Sequence, residues 1–110
     1  MQVGLIGTGR MGRVLARRLK DHVEVTIYDR DSANMAAAQR ELGVRTAAGL
    51  EDLAGLGAVI LAVPDPEVIN CIKDFNQLKT PMVIINIATN VAQHVLEEAA
   101  AKHVRCIGVK

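Results

Sequence analysis

Tryptophan is absent from this chain, and phenylalanine and tyrosine occur once each, as Phe75 and Tyr28. A sequence of 110 residues so poor in aromatics has no stacking platforms for single-stranded nucleic acid, and its core has to be aliphatic. An excess of charge of one sign is also missing. Thirteen Lys and Arg against twelve Asp and Glu give a net charge of +1, so the electrostatic footprint of a DNA-binding domain is not there. The only two cysteines, Cys71 and Cys106, lie far apart with no second Cys or His at ligand spacing. That disfavours a zinc site, and both thiols read as small core hydrophobes. No long apolar run exists either: the longest, Ala58 to Val63, is far short of the roughly 20 residues that span a bilayer. No basic region precedes the first strand-like segment, so a secretory leader is not indicated and a cytoplasmic protein is expected. Half of the residues are hydrophobic and 23% are charged. That balance is expected of one soluble domain over residues 1–110, without room for a second.

Short aliphatic runs alternate with stretches of helical period. Val3–Ile6, Val23–Ile27, Gly43–Thr46, Ala58–Val63, Met82–Ile85 and Val104–Ile107 read as strands, several so rich in Val and Ile that both their faces should be covered. Between the first two, Met11, Val14, Leu15, Arg18 and Leu19 form an i, i+3, i+4 stripe that predicts an amphipathic helix. Further helices are predicted over Ser32–Leu42, with Ser32 as N-cap and Gly43 as stop, and over Leu50–Leu56, Glu67–Asn76 and Val91–His103. Strict alternation of strand and helix implies a three-layer α/β fold, a six-stranded parallel sheet of order 3-2-1-4-5-6 with helices on both faces.

The chemistry is concentrated at the first strand-to-helix turn. Gly7-Thr8-Gly9-Arg10-Met11-Gly12 fits G-x-G-x-x-G, with Gly7 for a tight turn, Gly9 for close approach of a pyrophosphate, and Gly12 for close packing of helix on strand. The helix N-terminus offers free N–H groups and a positive dipole end to phosphate. The second strand ends at Asp29, about 20 residues beyond the glycines, where a carboxylate meets an adenosine ribose. Glycines, helix, strand and acid in this order predict dinucleotide binding. Asp29 suits the two ribose hydroxyls of NAD and repels a 2′-phosphate; Arg30, with Ser32 close by, suits the phosphate of NADP or stacking on adenine. The cofactor is therefore NAD or NADP, with NAD favoured.

These runs, with Tyr28-Asp29-Arg30 and Ile60-Leu61-Ala62-Val63-Pro64-Asp65-Pro66, resemble the N-terminal cofactor domain of the 6-phosphogluconate and 3-hydroxyacid dehydrogenase superfamily. Pyrroline-carboxylate reductases, prephenate dehydrogenases and deazaflavin-linked NADP oxidoreductases are related members. The resemblance covers nearly the whole chain, and Ala62-Val63-Pro64 is its more specific part. It implies that the backbone of Val63 and Pro64 lines the adenosine side of the cofactor and that Val68 packs near the adenine. It also implies that Thr89 is the hydroxyl near the nicotinamide, in a segment where Asn86 and Ala88 replace the acid and serine of an Asp-x-Ser-Thr pattern. General acid/base residues in the superfamily come from a helical domain after the sixth strand, so no catalytic residue is assigned here.

The remaining polar residues read as structural. His22, His94 and His103 fall in a helix-to-strand turn, in the last helix and at its end, without a partner set for catalysis. Arg13, Arg17 and Lys20 read as a solvated helix face balanced by Asp21 and Glu24, with Arg10 near enough to assist a pyrophosphate. Asp65, Glu67 and Asp74 read as helix-entry and surface charges. Two functions fit: the cofactor module of an oxidoreductase that transfers hydride, or a non-catalytic NAD(H)-sensing module like those that regulate potassium transport. Thr46-Ala47-Ala48-Gly49-Leu50-Glu51-Asp52-Leu53 looks like the dehydrogenase pattern and favours the first. A homodimer partner or a downstream helical domain is expected to close the nicotinamide side; the substrate is left open, and no nucleic acid or membrane partner is expected.

Overall fold

The structure, a computed structural model, describes residues 1–87 and 91–108. Six strands, β1 (Gln2–Ile6), β2 (Glu24–Tyr28), β3 (Arg45–Thr46), β4 (Ala58–Leu61), β5 (Met82–Asn86) and β6 (Val104–Gly108), form one sheet of order β3-β2-β1-β4-β5-β6. All five pairings are parallel, as the doubly covered aliphatic strands predict. The connecting helices are α1 (Arg10–Leu19), α2 (Ser32–Leu42), α3 (Leu50–Ala54), α4 (Asp65–Asn76) and α5 (Gln93–Ala99).

Alternating side chains of the strands feed two cores. On one face Leu5, Val25 and Ile27 pack with Ala16 of α1 and Ala38 and Leu42 of α2. On the other, Ile6, Val59, Leu61 and Ile84 pack with Leu53 of α3, Val68, Ile72 and Phe75 of α4 and Leu96 of α5. Phe75, the sole phenylalanine, is fully buried in the second core.

Element ends differ from the sequence expectation where side chains intervene. Asp31, not Ser32, caps α2: its Oδ1 accepts from the Ala33 and Asn34 N–H groups at 3.0 and 3.1 Å. Gly43 closes α2 in the left-handed region, φ 69°, as predicted. β4 stops at Leu61, short of Val63, and α4 begins at Asp65 behind Pro64, because proline lacks an N–H for the ladder yet suits a helix entry. α5 ends at Ala99, short of His103. There Asn76 donates from Nδ2 to the Ala99 carbonyl (2.8 Å) and accepts from the Ala101 N–H (2.9 Å), while Ala100 is extended. At the start of α5 the Gln93 side-chain amide donates to the Cys106 carbonyl (2.8 Å) and accepts from the Gly108 N–H (2.7 Å) of edge strand β6.

The α1 stripe also differs. Gly12, Leu15, Ala16 and Leu19 face the sheet, while Met11 and Val14 are exposed, Met11 at 59%. A helix that approaches a sheet closely buries its small residues, which a count of large apolar side chains passes over. Among the described residues no helix is long and apolar enough to cross a membrane.

Candidate functional site

Register places the site. Ile6 of β1 lies level with Tyr28 of β2 and Leu61 of β4, so the three strands end together, and the strand order reverses between β1 and β4. Gly7 follows β1 with φ 102°; its N–H donates to the Tyr28 carbonyl at 2.9 Å. A Cβ on Gly7 would stand 2.2 Å from the Ala62 carbonyl oxygen, and one on Gly12 would stand 1.9 Å from the Gly7 carbonyl oxygen. Both glycines are demanded by the protein's own packing. Gly9 is different: its backbone is ordinary extended chain, φ −74° and ψ −168°, and a Cβ there would meet nothing within 4 Å.

Gly9 is the N-cap of α1, and no side chain caps that helix or places an acid in its first turn. α2 is capped by Asp31, and α3 and α4 carry acids in their first turns. The first N–H groups of α1 therefore have neither a side-chain cap nor a first-turn acid to satisfy them.

Asp29 closes the turn from the side. Its Oδ2 accepts from the Thr8 N–H at 2.9 Å and the Thr8 hydroxyl at 2.7 Å, and its Oδ1 accepts from the Asp31 N–H at 2.8 Å. A carboxylate has about four acceptor positions, so one remains, on Oδ1. Burial raises the carboxyl pKa, but the bonds from Asp31 and Thr8, with Arg30 alongside, outweigh it and hold Asp29 below its ordinary 3.8. It is ionised at neutral pH. Thr8 itself is buried, and its carbonyl accepts from Arg13 Nε at 2.9 Å.

A cleft of about 290 Å³ opens between these strand ends and α4. Of the residues singled out in the sequence, Gly7, Gly9, Asp29, Arg30, Val63 and Pro64 line it. Thr8 and Gly12 stand behind the wall, and Arg10 and Met11 are exposed on the first turn of α1. Val68 is not at the cleft. It is fully buried in the core beneath, because the α4 face turned to the cleft is Glu67, Asn70, Cys71 and Asp74. Thr89 lies outside the described residues. Of these α4 residues the sequence reads Glu67 and Asp74 as surface charges and Cys71 as a core thiol; the i, i+3, i+4, i+7 spacing of the four is the signal that places them on one face. Asn34, which carries no motif, and Leu50, from the Thr46–Leu53 run, also line the cleft. The Arg30 guanidinium bonds the Glu67 carboxylate across the mouth. Arg13 and Arg17 pair with Glu41 of α2, at 3.1 and 2.7 Å, and Lys20 donates to the Leu42 carbonyl, so Asp21 and Glu24 are not their counter-charges. His103 lies beyond the end of α5, and none of the three histidines lines the cleft. Burial, with Asp74 and Glu67 close by, pushes the Cys71 thiol up to about 11; burial, with Glu97, does the same for Cys106.

Residues 2–109 match the profile of the family described as the NAD binding domain of 6-phosphogluconate dehydrogenase. The chain belongs to that family. No curated protein matches its sequence, whereas many solved structures match its fold. Among them is a pyrroline-5-carboxylate reductase from Coxiella burnetii, 19% identical with a TM-score of 0.82, over 96% of this chain and 42% of that one. A 3-hydroxyacyl-CoA dehydrogenase from Archaeoglobus fulgidus is 20% identical with a TM-score of 0.82, over 98% and 41%. A Plasmodium falciparum pyrroline carboxylate reductase with NADP bound is 16% identical with a TM-score of 0.79, over 98% and 41%. The chain thus spans about two fifths of the length of these structures.

As a member of this family the chain is an NAD(P)-binding Rossmann domain of the dehydrogenase type. Its residues fit a dinucleotide on physical grounds. The uncapped α1 N-terminus and the open space at Gly9 suit the pyrophosphate. The free acceptor position on Asp29 suits a ribose hydroxyl, and the cleft suits the adenosine half, being near the lower end of the roughly 300–1,000 Å³ of small-molecule sites.

Proposed function

We propose that this chain is the cofactor-binding part of an oxidoreductase and holds NAD(H) in preference to NADP(H). The observation that carries the reading is Gly9, a glycine that nothing in the fold requires, set where the uncapped helix α1 meets the cleft. The family match supports it. The amides at the start of α1 would hold the pyrophosphate, assisted by the exposed Arg10, and Val63 and Pro64 would wall the adenosine. Asp29 would accept from the adenosine ribose through the acceptor position left on Oδ1. The ionised Asp29 repels a 2′-phosphate, which sets the preference for NAD.

The nicotinamide, when bound, supplies hydride exchange with a substrate carbon. The described residues at the mouth of the cleft contain no histidine and no low-pKa thiol to move a proton. The acid/base groups are proposed to come from a partner subunit or a further helical domain, as the resemblance to the dehydrogenase superfamily implies. Calorimetric titration with NADH and NADPH tests the reading. Saturable binding of both with NADH tighter is expected; no binding of either at millimolar concentration overturns it, and tighter NADPH overturns the role given to Asp29. Turnover of hydroxyacids or cyclic imines by these 110 residues alone overturns the external supply of acid/base groups.

A further inference from the structure

Arg30 is the one cation among the described residues that line the cleft, and it shares that lining with three carboxylates, those of Asp29, Glu67 and Asp74. It directly follows Asp29, the acid just beyond β2, which puts it beside the adenosine ribose once the dinucleotide reading, on which this inference rests, is accepted. Taken from sequence, that position makes Arg30 the natural host for a 2′-phosphate and argues against the preference set by Asp29. The structure gives it another partner. Its guanidinium bonds the carboxylate of Glu67, which comes from the opposite lip, in the first turn of α4. Of the basic residues of α1, Arg13 and Arg17 are paired with Glu41, and neither Arg10 nor Arg18 lines the cleft. Arg30 is therefore the cation for which a phosphate on the ribose would compete.

The two partners are not equally free. The Arg30 side chain is 76% exposed and that of Glu67 36%. Glu67 is also favoured where it stands, because a carboxylate in the first turn of a helix meets the positive end of the dipole. The glutamate is the fixed post and the arginine the arm it draws across the mouth.

We propose that Glu67 is a specificity-determining residue of this site, acting through Arg30. NADPH has to exchange an ion pair already made for the one its 2′-phosphate offers, whereas NADH brings no group that competes for Arg30. The device adds to the repulsion from Asp29 and is independent of it, since it removes an attraction rather than adding a like charge.

Fluorescence titrations with NADH and with NADPH at low ionic strength, on the wild-type chain, Glu67→Gln, Arg30→Met and the double variant, test this. Glu67→Gln is expected to move the ratio of the two dissociation constants about three- to fivefold toward NADPH, the scale of an exposed ion pair. The shift should vanish when Arg30→Met is already present. An unmoved ratio overturns the inference and leaves the dinucleotide reading intact. A shift of equal size in the Arg30→Met background also overturns it, by tracing the effect to the charge of Glu67 alone. Failure of the wild-type chain to bind either nucleotide overturns the dinucleotide reading and this inference together.

Discussion

Gly9 and Gly12 sit three residues apart in one motif, and their substitution should fail in opposite ways. A Cβ on Gly12 meets the Gly7 carbonyl oxygen at 1.9 Å, so Gly12→Ala must push α1 off the sheet, at a cost of about 3 kcal/mol. Gly9→Ala meets nothing and should cost only about 0.5 kcal/mol in stability, while a methyl group at the pyrophosphate position lowers cofactor affinity by about tenfold or more. Thermal melts beside NADH titrations separate the two; equal losses of stability would remove the distinction. Asp29 belongs to the same scale. Its folded pKa lies below the ordinary 3.8, so its hydrogen bonds contribute stability that is complete above that value and is lost as pH falls through the folded pKa. Asp29→Asn should therefore show a smaller fall in Tm than the wild type between pH 5 and pH 2.5, and an identical fall would refute the assignment.

At the scale of elements, helix ends are decided by single side chains more than by hydrophobic period. Asn76, the last residue of α4, holds the Ala99 carbonyl and the Ala101 N–H as α5 terminates. Asn76→Ala leaves both half-buried groups without that partner and should destabilise the fold by about 1–3 kcal/mol, a drop in Tm of roughly 5–15 °C. A calorimetric scan that shows no change would mean water replaces the amide. The same contact explains why the sequence reading carried α5 on to His103: an asparagine more than 20 positions upstream leaves no local trace at a helix end. In α1 the period itself misled, since Gly12 and Ala16 take the buried positions that Met11 and Val14 were expected to fill. The alternation of strands and helices was legible because doubly covered strands are near-continuous in Val and Ile, a property of each segment by itself. The cleft was legible where a motif marks it, at Gly7, Gly9, Asp29, Arg30, Val63 and Pro64. Its α4 wall was not, because Glu67 and Asp74 look like any solvated charges until the helix is laid against β4. Val68, one position from Glu67, turned out to serve the core.

For the molecule as a whole, a parallel sheet covered on both faces leaves only its two lateral edges as places where another backbone can add. One edge is β3, two residues long, too short to template a partner strand. The other, β6, is a full five residues with Arg105 and Ile107 exposed, and there the Gln93 amide is bound to the Cys106 carbonyl and the Gly108 N–H. A side-chain amide carries the same donor and acceptor as a peptide group, so Gln93 acts as a one-residue counterfeit strand. Any chain that extends the sheet beyond β6 at these two groups must first evict it, and the first turn of α5 would register the newcomer.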